Sequence, residues 1–406
     1  MNYDQIYARL AVVKGVALRK GQPLYVSASV EVYEFVREVV AAAYEAGAGK
    51  VTVAYDDACV TKARFESETK ESVENIDEWE IAQKNYIARS GAAYLRILSD
   101  DPDAFAECDG DKITALSRAR HRAFTEFYDM SKGNAFKWCL IGYPSEAWAA
   151  KVFPGEKNAY DKLKDCIFRT MRVYEPDPFA AWDEHCAALL KRCEYLNAMQ
   201  FDEFEYTNAS GTDLRVGMPE NYVFSGGGEY DVNGDYFIAN MPTEEVFSAP
   251  HRLKVNGTVR ASMPLVHDGK TVRDFWFTFK DGKVASYWAK EGKEVLDGIL
   301  GTDEGANYLG EIAMVGYDTP IRMLDTLFYN TLYDENASCH FALGAAYPTS
   351  VAGGEKMSKE EQDKAGLNYS LEHVDFMVGT ADLKIVGIKD GKRYPIFIGG
   401  NFVKFD

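Results

Sequence analysis

Histidine is scarce in this sequence, with six residues in 406, so any imidazole chemistry is confined to His121, His185, His251, His267, His340 and His373. The seven cysteines, at 59, 108, 139, 166, 186, 193 and 339, are odd in number and form no CxxC pair. That argues against a disulfide framework or a thiolate zinc knuckle and fits a reducing cytoplasm. Basic residues are in deficit: Lys plus Arg total 45 against 63 for Asp plus Glu, a formal net charge of −18. Nucleic-acid binding draws its affinity from neutralised phosphates, so no nucleic-acid partner is expected. No apolar run approaches the roughly 20 residues that span a bilayer, and the opening MNYDQIYARLAVVKG has no apolar core of signal-peptide length. A cytoplasmic protein without a membrane partner is expected.

Two nucleotide-binding signatures are also missing. The first expected strand runs into ASVEVYEF without a glycine-rich turn, and no GxxxxGK(S/T) occurs. Backbone N–H groups then have no loop from which to approach a phosphate. The GxSxG elbow of serine hydrolases is absent as well.

What is present is a globular composition, 47% hydrophobic and 13% aromatic. A chain of this length exceeds what one simple core serves, so two domains are expected, 1–195 and 196–406. In the first, PLYVSASV (Pro23–Val30) reads as a buried strand. Val32, Phe35, Val36, Val39, Val40 and Ala43 then fall at helical spacing, with Gly47 as a stop. KVTVAY (Lys50–Tyr55) completes a βαβ unit, and Ala93–Ser99 and Lys137–Pro144 read as further strands. This alternation predicts an α/β domain with an open, mainly parallel sheet. Residues 155–195 read as helical, and Asp56–Asp57 as a solvated strand terminus. Beyond about Leu196 short alternating strands are joined by Lys280-Asp281-Gly282-Lys283 and Lys389-Asp390-Gly391-Lys392, both hairpin signals. An α+β domain with a largely antiparallel sheet is predicted there.

Charge-capable residues stand out against this apolar background. His373 and Asp375 lie two apart in YSLEHVDFMVG and would share one face of a strand. Alone, the pair reads as a satisfied polar pair or as two ligands. His340 follows the polar patch Asp334-Glu335-Asn336, Glu311 enters an apolar run, and Glu244 and Glu245 sit between Pro242 and an apolar pair. A buried carboxylate is costly unless paired, hydrogen-bonded or metal-bound. Carboxylates with imidazoles, taken as a set, point to a divalent metal centre. His121 and His185 read as surface or helix-packing residues, His267 as an exposed turn residue before Asp268-Gly269, and His251 as an unpersuasive neighbour of the glutamate pair. Cys339 reads as a buried small hydrophobe.

The segments YEAGAGKVTVAYDD, CLIGYPSEAWAAKVFP, GTDLRVGMP, NMPTEEVFSAP, YLGEIAMVG, NTLYDENASCHFALGAAY and NYSLEHVDFMVGTADL together resemble the thermophilic aminopeptidase family. The resemblance spans nearly the whole chain. It implies a dinuclear metallo-aminopeptidase that hydrolyses the N-terminal bond of short peptides with a free N-terminus, through a metal-activated water. It implies two divalent ions per chain (Zn, Co or Mn) held in the C-terminal domain by Glu245, Glu311, His340, His373 and Asp375. Of the adjacent glutamates, Glu245 is taken from the family pattern. The resemblance further implies Glu311 as bridging ligand or general base, Tyr347 as oxyanion donor, and a homodimer. The competing reading is a two-domain α/β ligand-binding protein with a structural metal or none.

Overall fold

The computed structural model describes residues 1–267 and 270–405, which divide into two compact units. The first comprises Met1–Glu184, Gly228–Pro242 and Leu327–Leu332. It is built on a five-stranded, wholly parallel sheet in the spatial order Asn240–Met241, Trp138–Gly142, Ala93–Leu98, Pro23–Ser29, Lys50–Asp56. Four of these strands are the expected ones. The fifth, two residues long, arrives from a distant part of the sequence and carries no alternation of its own. Both faces of the sheet are covered, as parallel sheets require. On one side the helix Tyr33–Glu45 buries Phe35, Val36, Val39, Ala42 and Ala43. Phe35 stacks on Tyr143 at 4.0 Å, and the Tyr7 hydroxyl donates to the Gly142 carbonyl at 2.6 Å. The helix stops where Gly47 adopts φ +93°, a left-handed conformation that glycine enters without a Cβ penalty. Asp56 pairs with Arg96 at 2.5 Å, and Asp57 caps the next helix by accepting from the Cys59 N–H.

The second unit comprises His185–Gly227, Thr243–Thr326 and Tyr333–Asp406. It contains two antiparallel sheets. The larger has nine strands, among them Lys270–Lys280, Lys283–Glu291, Lys384–Lys389 and Lys392–Ile398. Both expected Asp-Gly hairpins form there. Asp281 and Gly282 take φ +51° and +85°, and Asp390 and Gly391 take +50° and +73°. Paired positive φ values are what a two-residue hairpin turn needs to match strand twist. The turn at Asp268-Gly269 lies outside the described residues; His267 before it ends a strand and is half-buried rather than exposed.

The smaller sheet runs His373–Met377, His340–Gly344, Leu309–Val315, Glu245–Ser248, Ser225–Gly226. Its inner face meets the larger sheet through aromatic side chains: Phe341 lies 5.0 Å from Tyr206, and Phe376 lies 5.1 Å from Phe277. Val246, Ile312, Met314, Leu343 and Val374 fill out the same core. Side chains alternate across a strand, so burying this set aims its sequence neighbours at the other face. No helix among the described residues is long and apolar enough to cross a membrane.

Candidate metal centre

The cross-strand register assigns that other face. Glu311, Ala342 and Asp375 stand opposite one another on three neighbouring strands. Phe247, Ala313, His340 and Met377 form the adjoining row across four strands. Glu245 pairs with Val315, and His373 with Gly344. Five charge-capable side chains thus project from one face of one sheet, with Ala313 and Ala342 between them as a small-residue floor.

Glu311 reaches this face because of an irregularity in its strand. The register shifts between Leu309 and Glu311, so Leu309 pairs with Leu343 while Glu311 pairs with Ala342. In an unbroken strand residues two apart face the same way. Here the extra residue, Gly310, lets Leu309 enter the core while Glu311 faces outward. A bulge of this kind is a common device for re-aiming a side chain. A Cβ at Gly310 would run into the carbonyl oxygens of Gly344 and Ala345, so the position needs glycine for close approach.

Two groups of donors form, Glu245 with Glu311 and His340, and Glu311 with His373 and Asp375; in each the donor atoms lie within 4.8 Å of one another. Glu311 belongs to both. Its Oε1 is 3.6 Å from His340 Nε2 and its Oε2 is 3.2 Å from His373 Nε2. At the flanks, Glu245 Oε2 is 3.3 Å from His340 Nε2, and Asp375 Oδ1 is 3.5 Å from His373 Nε2. Each imidazole is fixed from behind. His340 Nδ1 donates to the Ser338 carbonyl at 3.0 Å, and His373 Nδ1 to the Ala345 carbonyl at 2.8 Å. A carbonyl only accepts, so both Nδ1 atoms carry protons and both Nε2 atoms face the carboxylates. That is the orientation of a metal-ligating histidine. Buried Glu245 Oε2 makes no well-aligned hydrogen bond, although His340 Nε2 lies 3.3 Å away. Three carboxylates and two outward Nε2 atoms fit divalent cations.

The electrostatics follow from this crowding. Burial opposes ionisation of Glu311, but the imidazoles of His340 and His373 beside it outweigh burial and draw the carboxyl down to about 2. Burial also opposes charge on His340, yet Glu245 and Glu311 hold its imidazole well above the ordinary histidine value. Asp375 and Glu311 do the same for His373. Glu245 is raised by burial, with Glu311 and Asp375 adding repulsion and His340 relieving part of it.

Tyr347 stands at the rim, its ring 5.3 Å from that of His373. Desolvation and the surrounding carboxylates, Glu311 first, raise its phenol, so it stays protonated and able to donate. Glu244 turns the other way. Its carboxylate is buried 3.5 Å from His185 Nε2, and its backbone N–H donates to Asn336 Oδ1 at 2.8 Å. His121 is exposed and stacks on Tyr128 at 5.5 Å. His251 lies under Gly366, accepting from the Leu253 N–H at 3.2 Å. Cys339 is buried, with its thiol donating to the Val315 carbonyl at 3.1 Å, and burial pushes it up to about 12. None of the seven cysteines is in a disulfide.

Sequence reasoning left out one neighbour. Glu335 is half-buried in a short turn, Glu335–Ala337, that packs against the His373 strand. Burial raises its carboxyl well above the ordinary range, and the charges of Glu245 and Asp375 raise it further. The signal was present as a polar patch five residues before His340. A single tight turn has no periodicity, however, to tell which of its polar groups faces inward.

A donor set of oxygen and imidazole without thiolate, carried on a sheet face, suits a divalent metal. Comparison with known proteins narrows the class. The model of the thermophilic metalloprotease family (M29) matches residues 4–402. Aminopeptidase AmpS of Bacillus subtilis is 42% identical over 399 residues, covering 98% of this chain and 97% of its own. Aminopeptidase T of Thermus thermophilus is 37% identical over 399 residues, covering 98% and 97%. The solved structure of wild-type AmpT from Thermus thermophilus superposes with a TM-score of 0.94 at 35% identity, over 99% of each chain. A 2,5-dihydroxypyridine dioxygenase from Pseudomonas putida, 12% identical with a TM-score of 0.51, shares the fold alone. The chain belongs to the thermophilic metalloprotease family (M29).

Proposed function

We propose that the chain is a metal-dependent aminopeptidase that removes the first residue from short peptides at a two-metal centre. Glu311 carries this reading: it is the one carboxylate shared by both donor groups, with one oxygen toward each imidazole. Glu245 and His340 would complete one site, and His373 and Asp375 the other. Zn, Co or Mn, when bound, would polarise the scissile carbonyl and activate water. The side chains supply the rest. The Nδ1 hydrogen bonds hold both imidazoles in the ligating tautomer, and burial keeps bulk water from the donors. Glu311, charged near neutral pH, would bridge or accept a proton, and the protonated Tyr347 hydroxyl would donate to the developing oxyanion.

Dialysis against chelator should abolish release of p-nitroaniline from aminoacyl anilides, and Zn, Co or Mn should restore it. Activity that survives chelation, or a fully active His373→Ala variant, would sink the reading. Acetylating the substrate amine should stop turnover. From the family resemblance we also propose a cytoplasmic homodimer; light scattering that returns the mass of one chain would remove the dimer.

A further inference from the structure

The donors do not share solvent equally. His340 is 1% exposed on its side chain and Asp375 11%, whereas His373 reaches 27%. The centre therefore opens at His373. Tyr347, 41% exposed, stands there, and beside it lies Phe247, ring to ring at 6.1 Å. Phe247 shares the metal face with Glu245, two residues before it on the same strand. From Met241 to Pro250 every residue but Phe247 is buried. A phenylalanine left part-open in such a run, at the mouth of a polar centre, offers apolar surface with no protein side chain fully covering it.

We infer that the Phe247 ring, with the Tyr347 ring behind it, walls the subsite for the side chain of the substrate's first residue. This rests on the aminopeptidase reading and specifies its substrates: peptides that begin with a large apolar residue. The occupant follows from position. A peptide whose first carbonyl lies over the donors must enter past His373. Its first side chain, one Cα from that carbonyl, then lies at the rim where the two rings stand. Small or acidic first residues leave the aromatic surface wet and gain little from it.

The test uses the metal-loaded full chain and compares kcat/KM for leucyl-, phenylalanyl-, alanyl- and glutamyl-p-nitroanilides. Wild type should prefer the first two. Phe247→Ala should lower kcat/KM for leucyl and phenylalanyl substrates by about 10- to 100-fold, the usual range for a lost apolar contact, and for alanyl by less than about threefold on the same scale. Metal content per chain should not change, which separates loss of wall from loss of centre. Phe247→Leu covers the case of a Phe247→Ala chain that does not fold; it should keep leucyl turnover and lose phenylalanyl preference. Equal losses on all four substrates, or an unchanged leucyl-to-alanyl ratio in both variants, would overturn the assignment. A wild-type enzyme inactive on every anilide after metal loading overturns the aminopeptidase reading instead.

Discussion

Two imidazoles facing three carboxylates make the centre proton-rich when it holds no metal. His340 and His373 sit well above the ordinary 6.5, so both are charged near neutrality. A metal needs the free Nε2 lone pair, so metal uptake must release protons. Titration calorimetry near pH 7.5 in buffers of different ionisation enthalpy should show that release, and affinity should rise with pH. The same shifts set how the metal-free protein depends on pH. Glu311 is depressed from 4.5 to about 2, so its contribution is present above about 4.5 and is lost as pH falls toward 2. The histidines are raised, so theirs is present below about 6.5 and is lost as pH climbs through their folded values. Chelated protein should melt higher at pH 5.5 than at pH 8.5; the opposite order would contradict the cluster's charge state. Glu311→Gln keeps the shape and removes the shared charge. It should reduce bound metal to one ion or none and lower kcat at least about 100-fold. Much of this was legible in the residues, because a carboxylate or histidine inside an apolar run is conspicuous. Glu335 was not, because its neighbours are polar too. Nor could spacing choose between Glu244 and Glu245. Only the pairing of Glu245 with Val315 and the turn of Glu244 toward His185 separate them.

Among the elements, the Glu311 strand depends most on an unusual local geometry. Its bulge puts Leu309 in the core and Glu311 on the opposite face. Gly310→Val would drive a side chain into the carbonyls of Gly344 and Ala345. The expected cost is about 1–3 kcal/mol of stability, in the range of overpacked sites. It would show as a lower denaturant midpoint with reduced metal content. An unchanged midpoint and full metal loading would mean that the strand tolerates a different register. The sequence marks the Asp-Gly hairpins clearly, because their turn chemistry is local. It does not mark the bulge: a glycine in an apolar run reads equally as a packing position, and register is settled only by the partner strand. The two-residue strand Asn240–Met241 was invisible for the same reason, since its partner Trp138–Gly142 is about a hundred positions away.

For the molecule as a whole, the sheet classes were readable from texture, parallel where helix and strand alternate and antiparallel where hairpins recur. The path of the chain was not. Residues 228–242 and 327–332 return to the first unit, and no composition shift marks either excursion. Metal binding should stabilise the native chain by mass action, about 2.7 kcal/mol at a hundredfold excess over Kd. Chelation should therefore lower the melting temperature, as differential scanning fluorimetry would show. The alternation in the smaller sheet bears on how the protein fails when heated. Every donor is flanked along the chain by a core residue: Val246 beside Glu245, Ile312 beside Glu311, Phe341 beside His340, and Val374 between His373 and Asp375. Anchor and ligand are successive links on the same strands. The face that carries the donors should therefore loosen only together with the core beneath it. With metal in excess, heat inactivation and loss of structure should then follow a single time course, with no long-lived folded but inactive species between them.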